Sequence, residues 1–234
     1  YAETFATNNL TINRNGSNFE GGSTNGEITV NRQAVTLIFA DSTQGWVPVN
    51  DNDSGIQQQL YIAATGGNTT ATCGDYKIHT FTSPGTFCVS CAGNAAGSNK
   101  VSYLVVAGGA GGGAGNGGGG GAGGFREGKA PAFDSYTSSP LVAPDGLTVT
   151  ATGFPIAVGG GGSGGAASFG QGGTGNVSTF STITSAGGGA GASNCSGVGN
   201  AGGNGGSGGG GSSGTNSYST ATAGAGNTPP VSPP

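Results

Sequence analysis

Charge is what this 234-residue sequence has least of: six Lys and Arg and ten Asp and Glu, 7% of the chain, with a net charge of −4. Ordinary soluble domains carry about 25% charged residues. Phosphate backbones and anionic lipid surfaces are held by clustered cations, so six scattered ones argue against a nucleic-acid or membrane-surface partner. No stretch approaches the roughly 20 apolar residues of a membrane-spanning helix. Methionine is absent, so Tyr1 is not an untrimmed start, and the chain is expected to be processed or a portion of a longer polypeptide. Histidine and tryptophan occur once each and cysteine four times.

Glycine is abundant instead. Of 55 glycines, 12 lie in residues 1–106 and 43 in residues 107–234, which sets a boundary at Ala107. The expected organisation is an N-terminal β module (1–50), a linker (51–72), a β-hairpin and strand (73–106), a glycine-rich domain (107–226) and a Pro-rich tail (227–234). Glycine runs of this kind often mean a flexible linker. Here apolar pieces such as Tyr103-Leu-Val-Val-Ala and Leu147-Thr-Val-Thr punctuate them, and a pure spacer has no use for these. Collagen is excluded, because glycine does not recur at every third position with abundant proline. What remains is glycine in an extended helix of three residues per turn and a rise near 3.1 Å, bonded laterally because bare backbones approach closely. At that rise an 18-residue block spans about 56 Å. The fold class expected is all-β, with small N-terminal β modules, a polyglycine-II-like bundle with strand returns, and almost no helix.

Before the boundary, Leu10-Thr-Ile-Asn-Arg alternates and ends at Asn15-Gly16, a hairpin dipeptide. Glu27-Ile-Thr-Val alternates again, with Ile28 and Val30 on one face. Ala34-Val-Thr-Leu-Ile-Phe-Ala and Trp46-Val-Pro-Val flank a turn, with Pro48 at an edge or strand end. This thin apolar face predicts assembly with copies of itself. Tyr76-Lys-Ile-His-Thr-Phe-Thr, the turn Ser83-Pro84-Gly85 and Thr86-Phe-Cys-Val-Ser predict a hairpin over 76–89. Lys100 to Ala107 reads as a buried strand running into Gly108.

The segments Tyr76-Lys-Ile-His-Thr-Phe-Thr-Ser-Pro-Gly-Thr-Phe and Tyr103-Leu-Val-Val-Ala-Gly-Gly-Ala-Gly-Gly-Gly resemble the glycine-rich domain common in phage tail-fibre proteins. Leu147-Thr-Val-Thr followed by Ile156-Ala-Val-Gly-Gly-Gly-Gly looks like that domain's second strand-to-glycine transition. Leu10-Thr-Ile-Asn-Arg-Asn-Gly and Asp41-Ser-Thr-Gln-Gly-Trp are similar to β modules in fibres of marine phages, especially those of cyanobacteria. More distantly, the plan resembles the tip adhesins of T-even-type phages, where a polyglycine-II bundle displays loops to the host. The resemblance implies architecture and a virion location, and carries over no binding residue.

Chemistry-bearing groups are sparse. His79 sits on an alternating strand with only Asp75 nearby, so a triad has no base poised on a nucleophile. Gly161-Gly-Ser-Gly-Gly165 fits a nucleophile elbow only through its glycine content, without the strand and helix that motif requires. Asp51-Asn-Asp53-Ser-Gly55 opens like a calcium loop, but Ile62 stands where the bidentate Glu belongs. Cys88-Val-Ser-Cys91 has C-x-x-C spacing without a second pair, which suits structural or buried thiols better than metal. If a disulfide forms, Cys73 with Cys88 or Cys91 is the easiest pairing, through the 76–89 hairpin; Cys195 lies apart. No metal or cofactor is expected.

The loop Phe125-Arg-Glu-Gly-Lys-Ala-Pro-Ala-Phe-Asp-Ser-Tyr136 gathers two of the six basic residues, two acids and three aromatics. Such a loop fits glycan or protein contact, or Phe125 and Phe133 cap the bundle. Candidate contact residues are Phe125, Arg126, Phe133, Tyr136, Phe169, Phe180 and Tyr218. The function expected is non-enzymatic: a tail-fibre or adhesin subunit in a homo-oligomer, a trimer favoured, bound to other virion proteins and to a host glycan or outer-membrane protein. A virion decoration without receptor, or a bacterial extracellular filament protein, is the alternative.

Overall fold

The computed structural model describes residues 5, 7–29, 35–49, 57–58, 60–94, 97–130, 134–140, 142–166, 169–194, 200–213 and 221–230. These hold β-strands and no α-helix, as the all-β reading requires. Two compact units form: Tyr1–Ala64 with Val89–Lys100 and Val149–Ala151, and the remainder of the chain.

The first unit contains β1 (Leu10–Ile12), β2 (Gly26–Ile28), β3 (Leu37–Phe39), β4 (Trp46–Pro48), β5 (Gln57–Gln58) and β6 (Ile62–Thr65). Strands β1, β2 and β5 make one antiparallel sheet, and β3 and β4 a hairpin with Leu37 opposite Pro48 and Phe39 opposite Trp46. Pro48 ends its strand, where its missing N–H is harmless. Phe19 is fully buried beside Ile28, with Phe5, Ile12, Val35 and Leu37 packed around them. Asn15-Gly16 does turn the chain, with φ of 48° and 84°. It does not close a tight hairpin, because a second left-handed pair, Glu20-Gly21, folds the chain again within the long connection from β1 to its partner β2. Val30 and the 51–55 segment lie outside the described residues.

The second unit adds β7 (Thr69–Cys73), β8 (Tyr76–Thr80), β9 (Gly85–Ala92, whose end belongs to the first unit), β10 (Lys100–Val101), β11 (Tyr103–Val106), β12 (Phe125–Gly128), β13 (Leu147–Thr148), β14 (Gly153–Ala157), β15 (Ser178–Phe180) and β16 (Ile183–Ser185). The expected 76–89 hairpin is replaced by β7 with β8, Cys73 opposite Tyr76 across Gly74-Asp75. Gly74 has φ +58°, which allows so tight a turn. β9 pairs instead with β14, Phe87 opposite Phe154, and β14 continues to β15 and β16. The polar stretch expected to be linker therefore contains β6 and β7. β11 is also not a buried strand: Val105 points inward, while Leu104 and Val106 are 61% and 53% exposed.

Beyond these strands the main-chain bonding repeats every three residues. The N–H groups of Ala107, Ala110 and Gly113 donate to the carbonyls of Gly124, Gly121 and Gly118 at 2.9–3.0 Å. Those of Gly108, Gly111 and Ala114 donate to Asn176, Gly173 and Gly170. A β-strand alternates between two neighbours, whereas a donor that returns to the same neighbour at every third residue belongs to a three-fold extended helix. The same spacing defines eight such helices among the described residues: g1 (107–114), g2 (117–124), g3 (159–166), g4 (170–177), g5 (186–194), g6 (200–206), g7 (207–213) and g8 (221–228). The glycine blocks are thus an ordered, laterally bonded polyglycine-II bundle, built within one chain.

Helix g5 is central, bonded to g1, g2, g4, g6 and g7, and Ala190 and Ala192 within it are buried. Closeness explains the composition: a Cβ on Gly118 would lie 2.0 Å from the Gly210 carbonyl oxygen, and one on Gly123 1.9 Å from that of Ala107. The 18-residue block 107–124 does not run straight for 56 Å. It reverses at Gly115 (φ +71°), so each arm of eight residues spans only about 25 Å. β11, β14 and β16 run into g1, g3 and g5, and g2 and g4 run into β12 and β15, so one end of the bundle is seeded by strands.

Candidate contact surfaces of the glycine-rich unit

The strand-seeded end is packed by rings. Phe180 lies 6.0–6.3 Å from Phe87, Tyr103 and Phe154, all edge-to-face, and is 8% exposed. His79 stands edge-on to Phe87 at 5.2 Å, with Nδ1 2.7 Å from the Gly66 carbonyl oxygen. A carbonyl only accepts, so Nδ1 carries the proton and the ring is a structural donor. Phe180, expected as a contact residue, is a core residue, because β15 directs it between β9, β11 and β14.

Strand alternation sorts the loop that begins at Phe125. β12 pairs with β11, Val106 opposite Phe125 and Val105 opposite Arg126, so Phe125 faces solvent and Arg126 faces inward. Arg126 is 7% exposed; its Nη1 donates to the Phe125 carbonyl at 2.7 Å and its Nη2 to Asn227 Oδ1 at 3.2 Å. Burial lowers its pKa from the ordinary guanidinium value. It ties β12 to the segment at the end of g8 and presents no cation to a partner. Phe125 instead joins Leu104 and Val106 in an exposed apolar strip; sequence named Phe125 but missed Leu104 and Val106, because a run of apolar residues entering glycine reads as buried.

Tyr136 is 41% exposed, and Lys129 Nζ lies 4.9 Å from its ring centroid and donates to its carbonyl. Burial raises the phenol pKa, with Glu127, Asp134 and Tyr76 adding to the rise and a hydrogen bond with Ser102 opposing it. The Ala130 N–H donates to Ser102 Oγ, Ser102 bonds Asp134, and the Ser139 N–H donates to Glu127 Oε2 at 2.9 Å. Tyr136, Lys129 and two carboxylates are thereby held in place by bonds to one another, to Ser102 and to Ser139, a preorganised aromatic and polar surface.

The glycine-rich domain family matches residues 81–230, more than half of the chain. The chain belongs to this family. Neither a curated protein nor a solved structure matches it. In this family member Phe169 is 57% exposed at the g3–g4 turn, closed by Gly170 N–H to the Ala166 carbonyl, at the end of the bundle away from the strands. Phe133, Tyr218 and Cys195 lie outside the described residues. Cys73, Cys88 and Cys91 are free thiols; with β8 paired to β7, the route expected to bring Cys73 to Cys88 is not formed. Among the described residues no three of His, Cys, Asp and Glu converge on one point.

Proposed function

We propose that the chain is a structural virion protein of the tail-fibre or adhesin type, without catalytic activity, that meets a host surface glycan or outer-membrane protein through loops carried on its bundle. The observation that supports this most is the bundle itself. Eight helices cross-linked mainly through their backbones, with a few Ser and Asn side-chain bonds, form a nearly charge-free strut, so the turns at its ends are left to vary in sequence without disturbing it. The Lys129–Tyr136 pair at one end and Phe169 at the other are the contact residues this reading favours. The burial of Arg126 and Phe180 removes two contact candidates and favours the decoration reading, in which the bundle only spaces or stiffens the particle.

The test is adsorption of particles assembled with Lys129→Ala and Tyr136→Ala, and separately with Phe169→Ala. Loss of about tenfold or more in adsorption at unchanged particle yield is expected from at least one of the two surfaces. Unchanged adsorption from both would move the assignment to decoration.

The same reading includes a virion location and a homo-oligomer. The outward row of g4 carries Gln171 and Thr174, and that of g6 Ala201 and Asn204. On g1 and g3 the outward rows are bare: Gly109, Gly112, Gly161 and Gly164 have no main-chain donor bond among the described residues, and a Cβ there would come no nearer than 3.5 Å to any atom. A side-chain-free face with unpaired N–H groups suits the matching face of a second copy. Sedimentation equilibrium should show an oligomer that Gly164→Gln dissociates at unchanged melting temperature; a wild-type monomer would remove this part.

A further inference from the structure

The first unit holds a feature that the adsorption reading does not use. A cleft of about 280 Å³ is lined by Ile12, Asn13, Arg14, Asn15, Ser17, Leu37 and Trp46. It contains the chain's single tryptophan and one of its six cations. We propose that this cleft binds a carboxylate-bearing sugar, one ring at a time.

Its walls supply three kinds of contact. Ile12 and Leu37 are braced from behind by the Phe19–Ile28 core, which makes the floor apolar and firm. Trp46 is 37% exposed, and Phe39 stands against it at 5.4 Å with the rings inclined at 71°, which fixes the indole plane. A pyranose has one face of C–H groups, and laying that face on an indole ring removes apolar area from water. The rim is different in character. Asn13, Asn15 and Ser17 offer donors and acceptors side by side, which suits hydroxyl groups that both donate and accept.

Arg14 decides the charge of the ligand. Its Nη1 donates to the Ser17 carbonyl at 2.7 Å, and the rest of the guanidinium has no partner among the described residues. Among the described residues no carboxylate forms an ion pair with it. A guanidinium with no carboxylate partner among the described residues and most of its donors open, in a fork geometry that matches two carboxylate oxygens, selects a carboxylate over a neutral hydroxyl. The site is also prearranged. The Arg14 N–H donates to Asn25 Oδ1, the Asn15 N–H to Asn13 Oδ1, and Asn15 and Gly16 hold the left-handed turn between Arg14 and Ser17. Ligand pockets run from about 300 to 1,000 Å³, so a cleft just below that range admits one ring and leaves the rest of a polymer in solvent.

Because Trp46 is the only tryptophan, its fluorescence reports this cleft alone. The full chain is titrated with glucuronate, glucose and acetate. Glucuronate is expected to give a saturable change with millimolar affinity, glucose an affinity about tenfold weaker, and acetate no saturable change. Arg14→Gln should abolish the glucuronate response. Arg14→Lys keeps the stem and charge, so it guards against misfolding; it should weaken binding about tenfold through loss of the fork, with the melting curve unchanged. An equal response to glucose overturns the role of Arg14, an equal response to acetate overturns the sugar, and no saturable response to glucuronate overturns the site. None of these outcomes touches the adsorption test on the second unit.

Discussion

Gly118→Ala is expected to prevent the glycine bundle from folding, while Gly119→Ala leaves it folded. The two positions are neighbours in one helix, with the same residue replaced by the same methyl group. They differ in direction. At Gly118 the new carbon would sit 2.0 Å from the Gly210 carbonyl oxygen and 2.8 Å from that of Gly211, both main-chain atoms of g7. At Gly119 no heavy atom lies within 4 Å. Relief at Gly118 requires g2 and g7 to separate, and that breaks the bonds from Ser207 to Ala122 and from Gly210 to Gly119. Each buried group left unpaired costs about 1–3 kcal/mol. Several such losses are comparable to the whole stability of a domain, about 5–15 kcal/mol. At Gly119 the only effect is on the unfolded chain, whose freedom an alanine restricts, worth about 0.4–1 kcal/mol in favour of folding. Urea melts and soluble yield of the two variants measure this. Equal effects at the two positions would mean that g2 does not pack on g7.

That contrast also marks the limit of the sequence. Interspersed strands at Ala107 and Val158 were enough to separate an ordered bundle from a linker. The folding-back of each block was not legible, because a helix without side chains has no apolar period to show which residue faces which neighbour. Gly115 looks like every other glycine in its block, yet it is the one that reverses the chain. A related blindness affected β7. Thr69–Cys73 has no apolar alternation and reads as loop, although threonine suits an extended backbone, so its actual partner β8 was expected to pair with β9. The strand that β9 does pair with, β14, lies some 65 residues further on, and nothing local signals it.

The contact residues show the same division. The clustering of aromatics and charge in 125–136 was legible, and the structure holds Lys129, Asp134 and Tyr136 close together through local bonds. Parity was invisible. A strand of four residues alternates inward and outward, and only its pairing with β11 shows that Arg126 is on the inner side and Phe125 on the outer. Sequence reasoning therefore located the cluster but not the inward side on which Arg126 lies.

Phe180→Ala should be the most damaging side-chain truncation in the second unit, and it separates a core residue from a contact residue. Phe180 is 8% exposed and meets Phe87, Tyr103 and Phe154 edge-to-face. It sits on β15, which links the end of g4 to the hairpin that leads into g5, so a cavity there loosens the entry of the central helix. Truncating a buried phenylalanine costs about 3–5 kcal/mol, and each aromatic pair is worth about 0.5–1.5 kcal/mol beyond area. Phe180→Leu retains most of the volume and should recover the larger part of the loss. Phe169→Ala, at an exposed turn, should change stability by less than about 0.5 kcal/mol. Urea unfolding of the three variants, followed by adsorption of particles carrying each, gives the decision. If Phe180→Ala leaves the unfolding midpoint unchanged and reduces adsorption, Phe180 is a contact residue and the ring cluster is not the core of this unit. If the midpoint falls and adsorption falls only with it, the cluster is the plug that seeds the bundle, and any host contact would run through the exposed surfaces at Tyr136 and Phe169.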